Sequence, residues 1–179
     1  MSRLVPYFVG EDDAAVTILA PDHRHVEEIT FEISGDPRPL QRSRWAGFFN
    51  RVVGSMPRLY NPSRRVMNTF KVAAMEVLSV MPGDNPVFGD NTFLEVDCWF
   101  VMKRPISHFN YDGTLRLGAQ RFPTNSDVDN LVKLVLDALQ GILYRDDRRI
   151  VVLFAGKSYP SENDPHTNFG KTIIKARVR

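Results

Sequence analysis

Residues 149–155 read Arg-Ile-Val-Val-Leu-Phe-Ala, and this run restricts the fold more than any other stretch of the chain. Successive side chains of a strand point to opposite faces, so a strand that is apolar on both has to be covered on both, as a central strand is. The patterns around it supply the cover. Leu131, Leu134, Val135, Ala138 and Leu139 recur at helical spacing within residues 129–140, and Gly141 stops that helix. An earlier helix starts at Asn61 and Pro62, buries Val66, Phe70, Ala73, Ala74, Val77 and Leu78, and ends near residues 81–83. Arg64, Arg65, Asn68 and Lys71 lie on its outer face. Residues 92–102 alternate Leu94, Val96, Cys98 and Phe100 against Glu95, Asp97 and Trp99, the pattern of a half-buried strand, and residues 25–34 and 171–178 also read as strands. The order β-α-β-α-β-β predicts an α+β single domain: a mixed β-sheet with two main helices packed on one face and long basic loops. One loop covers residues 35–61, with a short helix expected around residues 46–53, and the other covers residues 103–126.

A length of 179 residues suits one domain, and 43% hydrophobic with 25% charged residues is the composition of a chain with a core, which excludes a disordered or fibrous protein. No apolar run nears the roughly 20 residues that a membrane-spanning helix needs. Glu11, Asp12 and Asp13 interrupt the start where a secretion signal would be apolar, so a cytoplasmic protein with no membrane partner is expected. Cys98, the only cysteine, can form neither an internal disulfide nor a cysteine-based zinc site, and it reads as a small buried strand residue.

The net charge of +2 conceals a segregation. Residues 1–35 carry seven acidic side chains and two basic ones, whereas residues 36–71 carry eight basic side chains, Arg38, Arg42, Arg44, Arg51, Arg58, Arg64, Arg65 and Lys71, against Asp36 alone. Such a block is the footprint of a phosphate-backbone contact, and equally of a solvated surface compensated by the acidic N-terminus. Trp45, Phe48, Phe49 and Tyr60 interleave with the arginines and suit base stacking or burial in the core. A second basic group, Lys103, Arg104, Arg116 and Arg121, lies in the later loop.

The densest chemical signal is Asp127-Val128-Asp129-Asn130, then Lys133, then Asp146-Asp147 before the apolar strand. Asp127 and Asp129, two apart in an extended lead-in, point the same way, and Lys133 lies one helical turn beyond Asp129. A chain returning through Gly141 is expected to bring Asp147 to the same spot. Three carboxylates with no imidazole or thiolate make a hard oxygen site of the kind that holds magnesium while leaving room for water and phosphate. The alternatives are that Asp129 or Asn130 caps the helix, that Lys133 pairs with Asp137, and that Asp146-Asp147 is a turn. Asp97 is a further carboxylate on the preceding strand, expected to face outward.

Taken whole, Ser126-Asp127-Val128-Asp129-Asn130-Leu131-Val132-Lys133, through Asp137-Ala138-Leu139-Gln140-Gly141 to Tyr144-Arg145-Asp146-Asp147-Arg148-Arg149-Ile150-Val151, resembles the core motif of RusA-type endodeoxyribonucleases. These are the Holliday-junction resolvases common in phages and prophages. The similarity extends more weakly to Ile33-Ser34-Gly35-Asp36-Pro37-Arg38-Pro39, Arg42-Ser43-Arg44, Tyr60 with Pro62, and Lys103-Arg104-Pro105 with His108-Phe109. It implies a RusA-like endonuclease domain over residues 26–179, with residues 1–25 as an extension of unknown role. It also implies a magnesium-dependent homodimer, with manganese as a substitute, that recognises four-way DNA by shape and cuts two opposed strands in recombination and repair. The family's metal-binding carboxylates fall on Asp127, Asp129 and Asp147, and its essential lysine on Lys133. Thr124-Asn125-Ser126 stands where the family usually has a Lys-Pro or basic run.

On this reading Asp127, Asp129, Asp147 and Lys133 carry in-line hydrolysis of a phosphodiester, with Lys133 either stabilising transition-state charge or assisting deprotonation of water. Arg38, Arg42, Arg44, Arg64, Arg65, Lys71, Lys103, Arg104, Arg116 and Arg121 bind the nucleic acid, and no small organic cofactor is called for. The alternative is a non-catalytic junction- or duplex-DNA-binding protein whose carboxylates are caps and turns. A phosphatase with an aspartyl nucleophile fits less well, because Phe122-Pro123-Thr124-Asn125-Ser126 is a poor strand to lead into Asp127.

Overall fold

The computed structural model describes residues 26–46, 58–160 and 168–179. Its elements in chain order are β1 (Glu28–Ser34), β2 (Arg44–Ala46), β3 (Arg58–Tyr60), α1 (Arg64–Leu78), β4 (Leu94–Val101), α2 (Val128–Leu139), β5 (Ile150–Ser158) and β6 (Lys171–Val178). Four strands form one sheet in the order β1-β6-β4-β5, in which β4 and β5 run parallel and β6 runs antiparallel to both of its neighbours. Both helices pack on one face of this mixed sheet, the predicted α+β arrangement.

The helix-facing row of β4, Leu94, Val96, Cys98 and Phe100, is at most 1% exposed and meets Leu131, Val135 and Leu139 of α2 and Ala74 and Leu78 of α1. Each large side chain so buried contributes roughly 1.5–3 kcal/mol, which fixes α2 firmly against the sheet. Cys98 is the small buried strand residue that was expected, and burial, with Asp97 beside it, pushes its thiol up to about 12.

Three expectations are corrected. β5 is an edge strand of the sheet rather than a central one, so Val151, Leu153 and Phe154 stand 54%, 44% and 60% exposed. Its apolar pattern records a surface that the described residues leave uncovered. Glu95, expected on a wet face, is buried because Arg177 of β6 and Arg179 just beyond it both close over its carboxylate. The first long loop contains the antiparallel pair β2-β3, with Arg44 opposite Tyr60. The helix expected around residues 46–53 falls mainly outside the described residues, and Ala46 itself closes β2. Helix α1 begins at Arg64 because the Asn61 side chain accepts from Ser63 N–H at 2.8 Å and holds Pro62 in a turn ahead of it. No helix among the described residues is long and apolar enough to cross a membrane.

Candidate active site

The strand directions decide where the chemistry sits. β1, β4 and β5 all point the same way, so their C-terminal ends share one end of the sheet with the N-terminus of α2. At that end Asp127 is the N-cap residue of α2, extended at φ −74° and ψ 136°, and Asp129 lies in the first turn. Asp127 makes no side-chain capping bond, and among the described residues neither carboxylate accepts a hydrogen bond or forms an ion pair. Two exposed hard-oxygen donors therefore stand uncommitted where the helix dipole favours negative charge. Lys133 follows one turn on, exposed, and forms no ion pair with Asp137 among the described residues.

Asp147 stands elsewhere. After α2 the chain turns through Gly141, whose φ of +81° suits glycine, and Tyr144 folds back so that its hydroxyl donates to Leu136 O at 2.8 Å. Burial raises the Tyr144 phenol far above its ordinary value, with Asp147 and Asp137 adding to the effect. Asp147 then opens the turn that leads into β5, beside the C-terminal end of α2. The twelve residues of α2, at about 1.5 Å each, put about 18 Å between the two ends of the helix. Within one chain the third carboxylate thus does not reach the first two, and no group of three metal-ligating side chains gathers among the described residues. The expected convergence fails because α2 and β5 are antiparallel neighbours of nearly full sheet height. Asp97 is also apart, on the sheet face opposite the helices, where its register partners are Lys175 and Phe154.

The aspartate pair divides its work. Asp146 caps the turn: it accepts from the Arg148 backbone N–H at 3.0 Å and from the Arg148 guanidinium at 2.9 Å, and these bonds hold its carboxyl well below the usual carboxylate range. Asp147 is exposed and forms no ion pair among the described residues. The turn reading therefore holds for Asp146.

Most of the basic candidates are placed for an outside partner. Arg38, Arg42, Arg44, Arg64, Arg65, Lys71, Lys103, Arg116 and Arg121 are all exposed. The segment carrying Arg38 to Arg44 docks on α2 through Leu40 N–H donating to Asn130 O at 2.9 Å, which puts these arginines beside the Asp127 end. A cavity of about 290 Å³ opens there between Arg38, Arg65, Thr69 and Leu134. Arg104 differs: it is 7% exposed, stacks 4.4 Å above the Tyr159 ring and donates to Gln120 O at 2.9 Å, so it anchors its loop and is turned away from any phosphate.

Sequence reasoning passed over Lys157, near the end of β5, whose ammonium donates to the carbonyl of Ser126, the residue before Asp127. The only available signal was a lysine closing an apolar strand. The apolar edge of β5 was also missed, because an apolar edge strand and a central strand have the same pattern.

No curated protein sequence matches the chain. The family described as endodeoxyribonuclease RusA matches residues 34–168, a span that takes in both helices, both basic loops, β4 and β5. That match covers most of the chain and bears out the resemblance carried by the aspartate motif, so the chain belongs to the RusA endodeoxyribonuclease family.

Proposed function

We propose that this endodeoxyribonuclease resolves four-way DNA junctions as a homodimer, in which each site takes Asp127, Asp129 and Lys133 from one copy and Asp147 from the other. The observation that carries the proposal is the edge of β5. It is nine residues long and apolar, and its outer side pairs with nothing among the described residues, whereas the opposite edge, β1, carries Glu28 and Glu32 paired to lysines. Long apolar edges invite a second strand, and proteins that stay single protect them with charge. Antiparallel pairing of two β5 strands about Phe154 sets Ile150 of one copy opposite Ser158 of the other. The Asp147 end of each copy then comes beside the Asp127 end of its partner, and the separation that divides the carboxylates within one chain is what joins them between two.

The uncommitted oxygens of Asp127 and Asp129, completed by Asp147 of the second copy, suit magnesium, with manganese as a substitute. Such an ion, when bound, supplies positive charge at the scissile phosphate and a more acidic water. The chain's own residues do the rest. Asp127 and Asp129 are held by the buried face of α2, Lys133 offsets charge on the phosphate, and the exposed Arg38, Arg42, Arg44, Arg64 and Arg65 with Lys71, Lys103, Arg116 and Arg121 grip the backbone. Two such sites related by a two-fold axis match the symmetry of a four-way junction, so paired cuts in opposed strands follow, in recombination and repair within the cytoplasm of a bacterial or phage-infected cell.

The test incubates the purified protein with a labelled junction and a matched linear duplex, with magnesium or with a chelator, beside Asp127→Asn. Paired cuts confined to the junction, dependent on the metal and lost in the variant while binding persists, are expected. Tight binding with no cutting under any metal condition would leave a DNA-binding protein and end the nuclease reading.

A further inference from the structure

We infer that Lys157 is a positioning residue for Asp127, tying the peptide before the aspartate to the strand that carries the dimer edge; the inference rests on the proposed composite site. In the parallel pairing of β4 with β5, Lys157 lies opposite Phe100, so it belongs to the helix-facing row of the sheet. The other helix-facing positions of the strands are apolar or, at Thr172, uncharged: Phe31, Ile33, Leu94, Val96, Cys98, Phe100, Ala155, Ile174 and Ala176. Lys157 is half-buried there, so its charge is partly desolvated, and it sits at the N-terminal end of α2, where the helix dipole opposes a cation. Among the described residues it forms no ion pair, and its one acceptor is Ser126 O. A role in packing alone would be better served by leucine or methionine.

The contact explains the placement. Asp127 is gripped from its other side by α2, whose Leu131 N–H donates to Asp127 O at 3.2 Å. With Lys157 holding the carbonyl of Ser126, the backbone on both sides of Asp127 is fixed, although its carboxylate itself has no capping bond to orient it. Because Lys157 is on β5, the tie runs from Asp127 to the strand whose free edge delivers Asp147 of the second copy, so one side chain links both halves of the site.

Lys157→Met and Lys157→Arg separate this role from packing. Manganese binding is followed by calorimetry on the DNA-free protein, junction binding by gel shift in chelator, and cutting with magnesium. Lys157→Met is expected to keep junction binding while losing manganese affinity and cutting by roughly 10- to 100-fold, the scale set by residues that orient metal ligands. Lys157→Arg, which can donate to the same carbonyl, restores most of both. Unchanged manganese affinity in Lys157→Met overturns the inference. So does a raised affinity with cutting lost, which would mean that the ammonium acts on the phosphate and not on Asp127. Should the methionine variant fail to fold, Lys157→Gln, neutral and polar, decides by the same readings. Wild-type protein that never cuts a junction ends the nuclease reading itself, whereas wild type that cuts beside a Lys157→Met that binds and cuts equally well ends this inference alone.

Discussion

The two ends of α2 hold the two parts of one chemical motif, and they are built on opposite plans. At the N-terminal end Asp127, Asp129 and Lys133 are exposed and without ion pairs among the described residues, and the basic segment docks beside them through Leu40. At the C-terminal end polar groups are spent on one another: Asp146 binds Arg148, Tyr144 binds Leu136 and Arg145 binds Asp90, while Asp147, like Asp137 of the last helical turn, forms no ion pair among the described residues. Within the aspartate pair the turn takes Asp146 and leaves Asp147 free among the described residues, so one of the two is structural and the other is available to a partner. The difference teaches that the motif read along the sequence is a list of parts that one chain keeps at the two ends of a helix, and it is this separation that the proposed pairing of two chains would close.

The largest expected effect comes from removing either part. Asp127→Asn and Asp147→Asn should each lower junction cutting by on the order of a thousandfold, the upper range for one charge-stabilising group, with gel-shift affinity retained. If Asp147→Asn cuts at the wild-type rate, the far end of α2 has no share in the chemistry. Next is the edge that would join the two ends. Phe154→Lys, which puts a charge on the exposed strand, should give a folded monomer by light scattering that binds DNA and cuts it poorly. A dimer that survives this change places the contact elsewhere.

The basic surface sets a smaller, salt-dependent effect. With roughly six to ten phosphates contacted, affinity should fall about a thousandfold or more between 50 and 200 mM salt. Replacing Arg42 and Arg44 by alanine should flatten that dependence with little change in melting temperature, whereas Arg104→Ala should destabilise the fold by about 1–3 kcal/mol through the loss of its Tyr159 and Gln120 contacts. Equal behaviour of exposed and buried arginines would break this distinction. The smallest effect concerns Asp146. Its carboxyl is lowered by Arg148, so its contribution to stability is complete above the ordinary carboxylate range near pH 4 and fades as pH falls through the lowered value. The melting difference between wild type and Asp146→Asn should therefore be visible at pH 7 and close in strong acid, as a thermal series against pH would record.

Much of the architecture was legible because period carries it. The spacing of Leu131, Leu134, Val135, Ala138 and Leu139 marked α2 to within a residue of either end, and the alternation from Leu94 to Phe100 marked β4. What escaped was relation in space. An apolar run on β5 has the same pattern whether the covering strand belongs to its own chain or to another. The aspartates stood out as a motif, but their separation within one chain follows from the antiparallel course of α2 and β5, which no local pattern records. Arg104 and Arg38 are alike in sequence, and only the Tyr159 ring and the carbonyl of Gln120 set one inside and the other out.

The most direct test of a site shared between copies is complementation. Asp127→Asn and Asp147→Asn proteins, each inactive alone, are mixed under conditions that exchange subunits and given a labelled junction with magnesium. In the mixed dimer one site takes intact Asp127 and Asp129 from the Asp147→Asn chain and intact Asp147 from the Asp127→Asn chain, while the other site lacks both. The account predicts that mixing restores cutting, as single nicks. A mixture of demonstrably exchanged subunits that stays as inactive as either variant alone would mean that each chain needs all three aspartates of its own, and would contradict the composite site.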